Sequence, residues 1–307
     1  MKGYKSRVTK RGIRVVELDA CADPARDQAW LDKSRKEAAS EADFQREIMR
    51  NWNISSGDGY YPEFTALGRE RYVMEFPSLL ALPVVRGWDF GVRGPVCIWM
   101  QYSAESDRVF VLREWAPRGI AAHHFRDVGR WLSGQLELEK LEPTAREWAD
   151  LLLELPGPTP PWFAEGTSFY DYAGTEIEPR QSIAARDPRE ATLRGVWAAG
   201  GIEFATHTGG VAARCDVLRR LLYPRPDGWP GCIISPHCPE VLATLGGGLV
   251  FKKATALNPK PTDPKKDGHY DNVNDALTYA VVGVVPAVEP DTDVQGWQQE
   301  DVGWSMD

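Results

Sequence analysis

Residues 84–115 hold three short apolar runs in close succession, and they constrain the fold of this chain more than any other feature. The runs are Val84-Val85-Arg86-Gly87-Trp88-Asp89, then residues 96–102 (VCIWMQY), then residues 108–115 (RVFVLREW). Each is rich in β-branched and aromatic residues, and Gly94-Pro95 and residues 103–107 supply the turns between them. Strands joined by links this short pair antiparallel, so the stretch predicts a three-stranded meander.

Downstream the texture changes to alternating helix and strand patterns. Residues 123–155 carry apolar side chains at helical spacing (Phe125, Val128, Trp131, Leu132), and residues 157–161 break the pattern with glycine and proline. Trp162-Phe163-Ala164 reads as a short buried strand ending at Glu165. Helices are expected over 184–199, 211–222, 239–245 and 271–285, with strands at 202–204, 233–234 and 249–252. A meander followed by alternating helices and strands is the element order of a ribonuclease H-like fold. That is an α/β architecture in which a mixed sheet, part antiparallel meander and part parallel strands, is flanked by helices on both faces. The expected organisation is a basic tail and helical connector over 1–83, the ribonuclease H-like domain over 84–285, and an acidic tail over 286–307.

Charge and cysteine content narrow the function. The chain has 307 residues, 44 Asp plus Glu against 36 Lys plus Arg, and a net charge of -8. Such a protein does not coat nucleic acid with a broadly basic surface. It can still grip DNA through a local basic patch, or hold cations on clustered carboxylates. Six basic and no acidic residues fall within positions 1–14, which read as a tail or a DNA-contacting arm. The last 22 residues carry six acids and no Lys or Arg, and read as a flexible tail. Five cysteines form no even framework, which suggests a reducing compartment. No apolar run is long enough for a membrane span, and the basic N-terminus lacks the apolar core of a secretory signal. A cytoplasmic protein with no membrane partner is expected.

The strongest chemical signal is a set of carboxylates at element ends. Asp89 follows the first apolar strand and precedes Gly91. Glu165 follows the expected strand at 162–164, with Asp171 nearby as its competitor. Asp271 and Asp275 stand four apart at the start of the last helix and so share a face. In sheets with parallel strands, sites collect at the carboxyl ends of the strands. Several converging carboxylates repel one another unless a counter-charge is present. Hard oxygen ligands of this kind suit Mg²⁺ or Mn²⁺. A pair of such ions would activate water and stabilise a leaving 3′-oxygen. For each acid the plainer role is a helix cap or a surface charge.

In sequence these residues are similar to the nuclease domain of the large terminase subunit of tailed bacteriophages. The similarity rests on Gly87-Trp88-Asp89-Phe90-Gly91 with its meander, an acid after the fourth strand, and Tyr270-Asp271-Asn272-Val273-Asn274-Asp275-Ala276-Leu277-Thr278-Tyr279-Ala280. The family's last motif often reads Asp-His-x-x-Asp-Ala-Leu-Arg-Tyr. Asp23-Pro24, Trp30 and Phe44-Gln45-Arg46-Glu47 resemble the segment joining the family's ATPase to its nuclease, and Cys238-Pro239-Glu240 resembles its penultimate helix. The resemblance implies an endonuclease that cuts concatemeric double-stranded DNA, using two Mg²⁺ or Mn²⁺ ions held by Asp89, Glu165, Asp271 and Asp275. It also implies a packaging ATPase, a portal and a small terminase subunit as partners. Glu165 stands where Asp is more usual, and Asn272 where His is frequent. No Gly-x-x-x-x-Gly-Lys-Ser/Thr motif occurs, so this chain carries no ATPase motif of its own. A resolvase or transposase of the same fold, or a non-catalytic docking subunit, are the rival readings.

Basic residues near these acids offer a rim for phosphate: Arg93, Arg180, Arg186, Lys265 and Lys266. Cys215, Cys232, His237 and Cys238 match no standard zinc spacing and read as buried thiols. His123-His124 opens a helix and reads as a surface or capping pair. His269, two residues before Asp271, is a candidate proton carrier.

Overall fold

The computed structural model describes residues 4–8, 14–18, 23, 26–37, 59–91, 94–155, 157–175, 192–207, 209–252 and 263–286. Part of the basic lead-in that reads as a tail is a strand. β1 (Tyr4–Val8) pairs antiparallel with β2 (Arg14–Leu18). Helices α1 (Gln28–Glu37) and α2 (Pro62–Ala66) follow. The main sheet is then built from β3 (Val84–Asp89), β4 (Val96–Ser103), β5 (Arg108–Trp115), β6 (Phe169–Gly174), β7 (Phe204–His207) and β8 (Cys232–Ile234).

The strand order is β7-β6-β3-β4-β5-β8, with β4 antiparallel to both neighbours and every other pairing parallel. The first five strands thus lie in the order 5-4-1-2-3 with the second reversed. This is the sheet of a ribonuclease H-like fold, extended here at one edge by β8. Helices α3 (Ala122–Leu132), α4 (Pro143–Glu154) and α5 (Leu193–Ala199) connect β5 to β6 and β6 to β7. Helices α6 (Val211–Leu222), α7 (Pro239–Ala243) and α8 (Tyr270–Val284) complete the domain.

Strand periodicity explains why both faces need cover. Along β3 and β4, Val85, Ile98 and Met100 point into one core with Leu218, Leu277 and Val281, while Val84, Trp88, Cys97 and Trp99 point into the other with Phe125, Trp131 and Trp197. The first core also takes Tyr60, Tyr61, Phe64 and Tyr72, so residues 59–73 pack into the body of the sheet domain. Helix α8 lies directly on β3. A Cβ on Gly87 would sit 1.9 Å from the Ala276 carbonyl oxygen, so glycine is what allows this approach.

Three sequence expectations are corrected. Trp162-Phe163-Ala164 is not a strand. It follows Pro160-Pro161, and Phe163 is a buried member of the second core. The fourth strand is Phe169–Gly174 instead, whose alternating aromatics are the signal that could have located it. The helical pattern at 123–155 is two helices, because the chain turns at Ser133 and Gly134 before Pro143 restarts it. Leu249–Lys252 forms only isolated bridges, Gly59 to Val250 and Phe251 to Pro264. The acidic tail beyond Pro286 lies outside the described residues.

Candidate active site

All parallel strands of the sheet end on one side, and Asp89 is the last residue of β3 there. It is buried, and one carboxylate oxygen accepts the Gly91 N–H at 3.1 Å. The chain after Asp89 is clamped by the start of α8. Asn272 Nδ2 donates to the Gly94 carbonyl at 2.9 Å, and a Cβ on Gly91 would lie 2.1 Å from that same nitrogen. Asn272 therefore has a positioning task. This docking sets the first turns of α8, with Asp271 and Asp275, beside the end of β3.

Asp271 is buried, and its Oδ1 accepts N–H groups from Asp267 (3.2 Å) and Gly268 (2.6 Å). Burial, together with the neighbouring Asp267 carboxyl, holds its pKa above the ordinary value. Asp275 is buried on the helix interior face. Its Oδ1 is bound by Arg214 Nη2 at 2.8 Å, and Lys266 Nζ stands 3.6 Å from Oδ2. Arg214 comes from α6, is buried, stacks on the Tyr279 ring and donates to the Gly209 carbonyl at 2.7 Å. Sequence reading missed Arg214. An arginine beside Cys215, Leu218, Leu221 and Leu222 on the apolar stripe of an otherwise charged helix was the available signal.

Glu165 is not brought to this site. It is exposed and sits in the turn before β6, where Thr167 N–H bonds the Ala164 carbonyl. Because Val84 pairs with Phe169 in parallel register, Glu165 lies at the amino end of the strands. That separates it from Asp89 by roughly 15 Å along the strand direction. Asp171 does not replace it. It is buried in mid-strand and held by Arg86 through Nε–Oδ1 and Nη2–Oδ2 contacts of 2.7 Å each, with Trp88 Nε1 donating at 2.6 Å. The first carboxylate after β6 in the sequence is Glu176, outside the described residues. Arg93, Arg180 and Arg186 also lie outside them. Lys265 and Lys266 precede α8, and the Lys266 side chain is 64% exposed at the rim of the acids.

The acids surround the end of the sheet without converging. Among the described residues, ligand atoms within 4.8 Å of one another occur in a group of three only at His123, His124 and Glu142. Cys215, Cys232 and Cys238 are buried free thiols, and burial pushes Cys232 up to about 12.

A second acidic cluster lies next to the first. Glu114, near the end of β5, accepts the Glu240 N–H (2.6 Å) and the Val241 N–H (2.8 Å) at the start of α7, and Glu240 Oε2 meets His269 Nε2 at 2.8 Å. His269 is thus tied to Glu240. Desolvation raises Glu114 from an ordinary 4.5 to about 8, against the pull of those two N–H donors. The folded protein then binds a proton that the unfolded chain releases, so stability declines as pH rises from 4.5 to about 8. Chemical denaturation across that range should show the decline, and Glu114→Gln should flatten it. An identical slope in both proteins would refute the assignment.

No family model matches the sequence, and no curated protein matches it. Solved structures resemble it. The large terminase of a thermophilic bacteriophage, solved in complex with ADP, aligns at a TM-score of 0.42 and 12% identity, over 87% of this chain and 55% of that one. The P22 large terminase nuclease domain aligns at 0.43 and 13% identity, over 68% of this chain and 86% of that one. The nuclease domain of the SPP1 large terminase g2p, solved with bound Mn, aligns at 0.39 and 11% identity, over 69% and 96%. The chain spans about half the length of the ADP-bound terminase.

Proposed function

We propose that this protein is a divalent-metal-dependent DNA endonuclease of a viral genome-packaging terminase, cutting concatemeric double-stranded DNA. The observation that carries the reading is Asp89 at the carboxyl end of β3, with Asp271 and Asp275 on the first turns of α8 docked beside it through Asn272. The donor set is all carboxylate oxygen, which suits Mg²⁺ or Mn²⁺.

The residues fit such a cation individually. Asp271 is a buried acid raised by its surroundings, the condition a nearby cation relieves. Arg214 occupies one oxygen of Asp275, and among the described residues the other faces the Lys266 ammonium at 3.6 Å, an exposed cation that a metal can displace. Two bound ions would lower the pKa of a water and stabilise the leaving 3′-oxygen of a phosphodiester. Asp89 would fix the position of the site relative to the sheet. Arg214 would hold the rotamer of Asp275. Lys265 and Lys266 would meet the DNA backbone, joined by Arg93, Arg180 and Arg186 on the same reading. A packaging ATPase, a portal and a small terminase subunit would be its partners in the packaging machine.

Supercoiled plasmid incubated with the protein in Mg²⁺ or Mn²⁺ should be nicked and linearised, and EDTA should abolish this. No cleavage with either metal, or cleavage indifferent to EDTA, would overturn the proposal. Cleavage confined to four-way junctions would point to a resolvase instead.

A further inference from the structure

The His123-His124 pair reads from sequence as a surface or capping feature, yet the fold gives it a third partner. His123 and His124 lie in the first turn of α3, and Glu142 is the residue before the first turn of α4. One nitrogen of each imidazole and one oxygen of Glu142 lie within 4.8 Å of one another. The two rings are 3.9 Å apart between centroids, and His124 Nδ1 is 3.9 Å from Glu142 Oε2. His124 Nδ1 is buried and has no hydrogen-bond partner. A buried ring nitrogen left this way is costly unless something satisfies it.

We propose that His123, His124 and Glu142 form a binding site for Zn²⁺ or a similar borderline divalent metal, separate from the acids at the end of β3. Two imidazoles and one carboxylate are the donor set of three-ligand zinc sites, with water in the fourth position. The same donors discriminate against Mg²⁺, which takes oxygen ligands. His123 and Glu142 are exposed, which leaves an open path for entry. The amino end of α3 carries partial positive charge, which opposes a cation. The Glu142 carboxylate offsets that. The bound ion would join the amino ends of α3 and α4, two of the helices that cover one face of the sheet.

The test uses the full chain and Zn²⁺ itself, by equilibrium dialysis with excess Mg²⁺ present to saturate oxygen-only sites. Wild type and Asp89→Ala should each retain one zinc per chain. His123→Ala and Glu142→Ala, both at exposed positions, should fold normally and lose affinity by more than about tenfold. Zinc should raise the thermal midpoint of wild type and of Asp89→Ala, and should leave those of the two site variants unmoved. Absence of zinc binding to wild type, or equal binding by His123→Ala and Glu142→Ala, would overturn the assignment.

Discussion

Asp89→Ala should lower metal-dependent plasmid cleavage by about a thousandfold and leave the fold intact. The magnitude follows from charge. A metal-bound carboxylate contributes to several kcal/mol of transition-state stabilisation, and each 1.36 kcal/mol is about a tenfold change in rate. Asp89 sits at the end of β3, beneath the clamp that Asn272 makes with Gly94, so its loss opens the site without removing a core side chain. Its interaction with the Gly91 N–H is local, and losing it costs about 1 kcal/mol. Single-turnover cleavage in Mn²⁺, beside circular dichroism of both proteins, reads the two effects separately. A folded Asp89→Ala protein that cuts at the wild-type rate would remove Asp89 from the site.

Asp171→Ala should do the reverse, costing stability instead of chemistry. Arg86 is 1% exposed, and Asp171 takes two of its nitrogens while Ser133 Oγ and Gln135 Oε1 take a third at 3.0 and 2.6 Å. Removing the carboxylate leaves a buried guanidinium without its counter-charge and a buried Trp88 N–H without its acceptor. Breaking a buried pair from one side costs about 3–5 kcal/mol. In a domain of this size that lowers Tm by roughly 10 °C. The folded fraction of the variant should still cleave at the wild-type rate per folded molecule, since Asp171 lies in mid-strand away from the end occupied by Asp89. A variant with unchanged Tm and no activity would mean that Asp171 belongs to the chemistry.

These two acids show where sequence reading succeeds and where it fails. The meander over 84–115 and the last helix were legible because their signals are local: short turns, β-branched runs, and apolar spacing around Asp275. Asp89 was legible for the same reason, as an acid directly after a continuous apolar strand. Glu165 was misplaced because Trp162-Phe163-Ala164 imitates a strand. Three apolar residues after a proline pair can fill a core without joining a sheet. The true strand, Phe169–Gly174, hides an aspartate in its middle, which counts against a buried strand until its partner is known.

The sequence by itself determined the meander, the last helix, and the acids that end β3 and begin α8, because each is written in neighbouring residues. Only the tertiary structure decided which acids serve the fold and which stand at the end of the sheet. Arg86 meets Asp171, 85 positions apart, and Arg214 meets Asp275, 61 positions apart. The first pairing depends on the parallel register of β3 on β6, and the second on the packing of α6 beside α8. Register and packing are settled by whole faces burying together, and no local pattern encodes them.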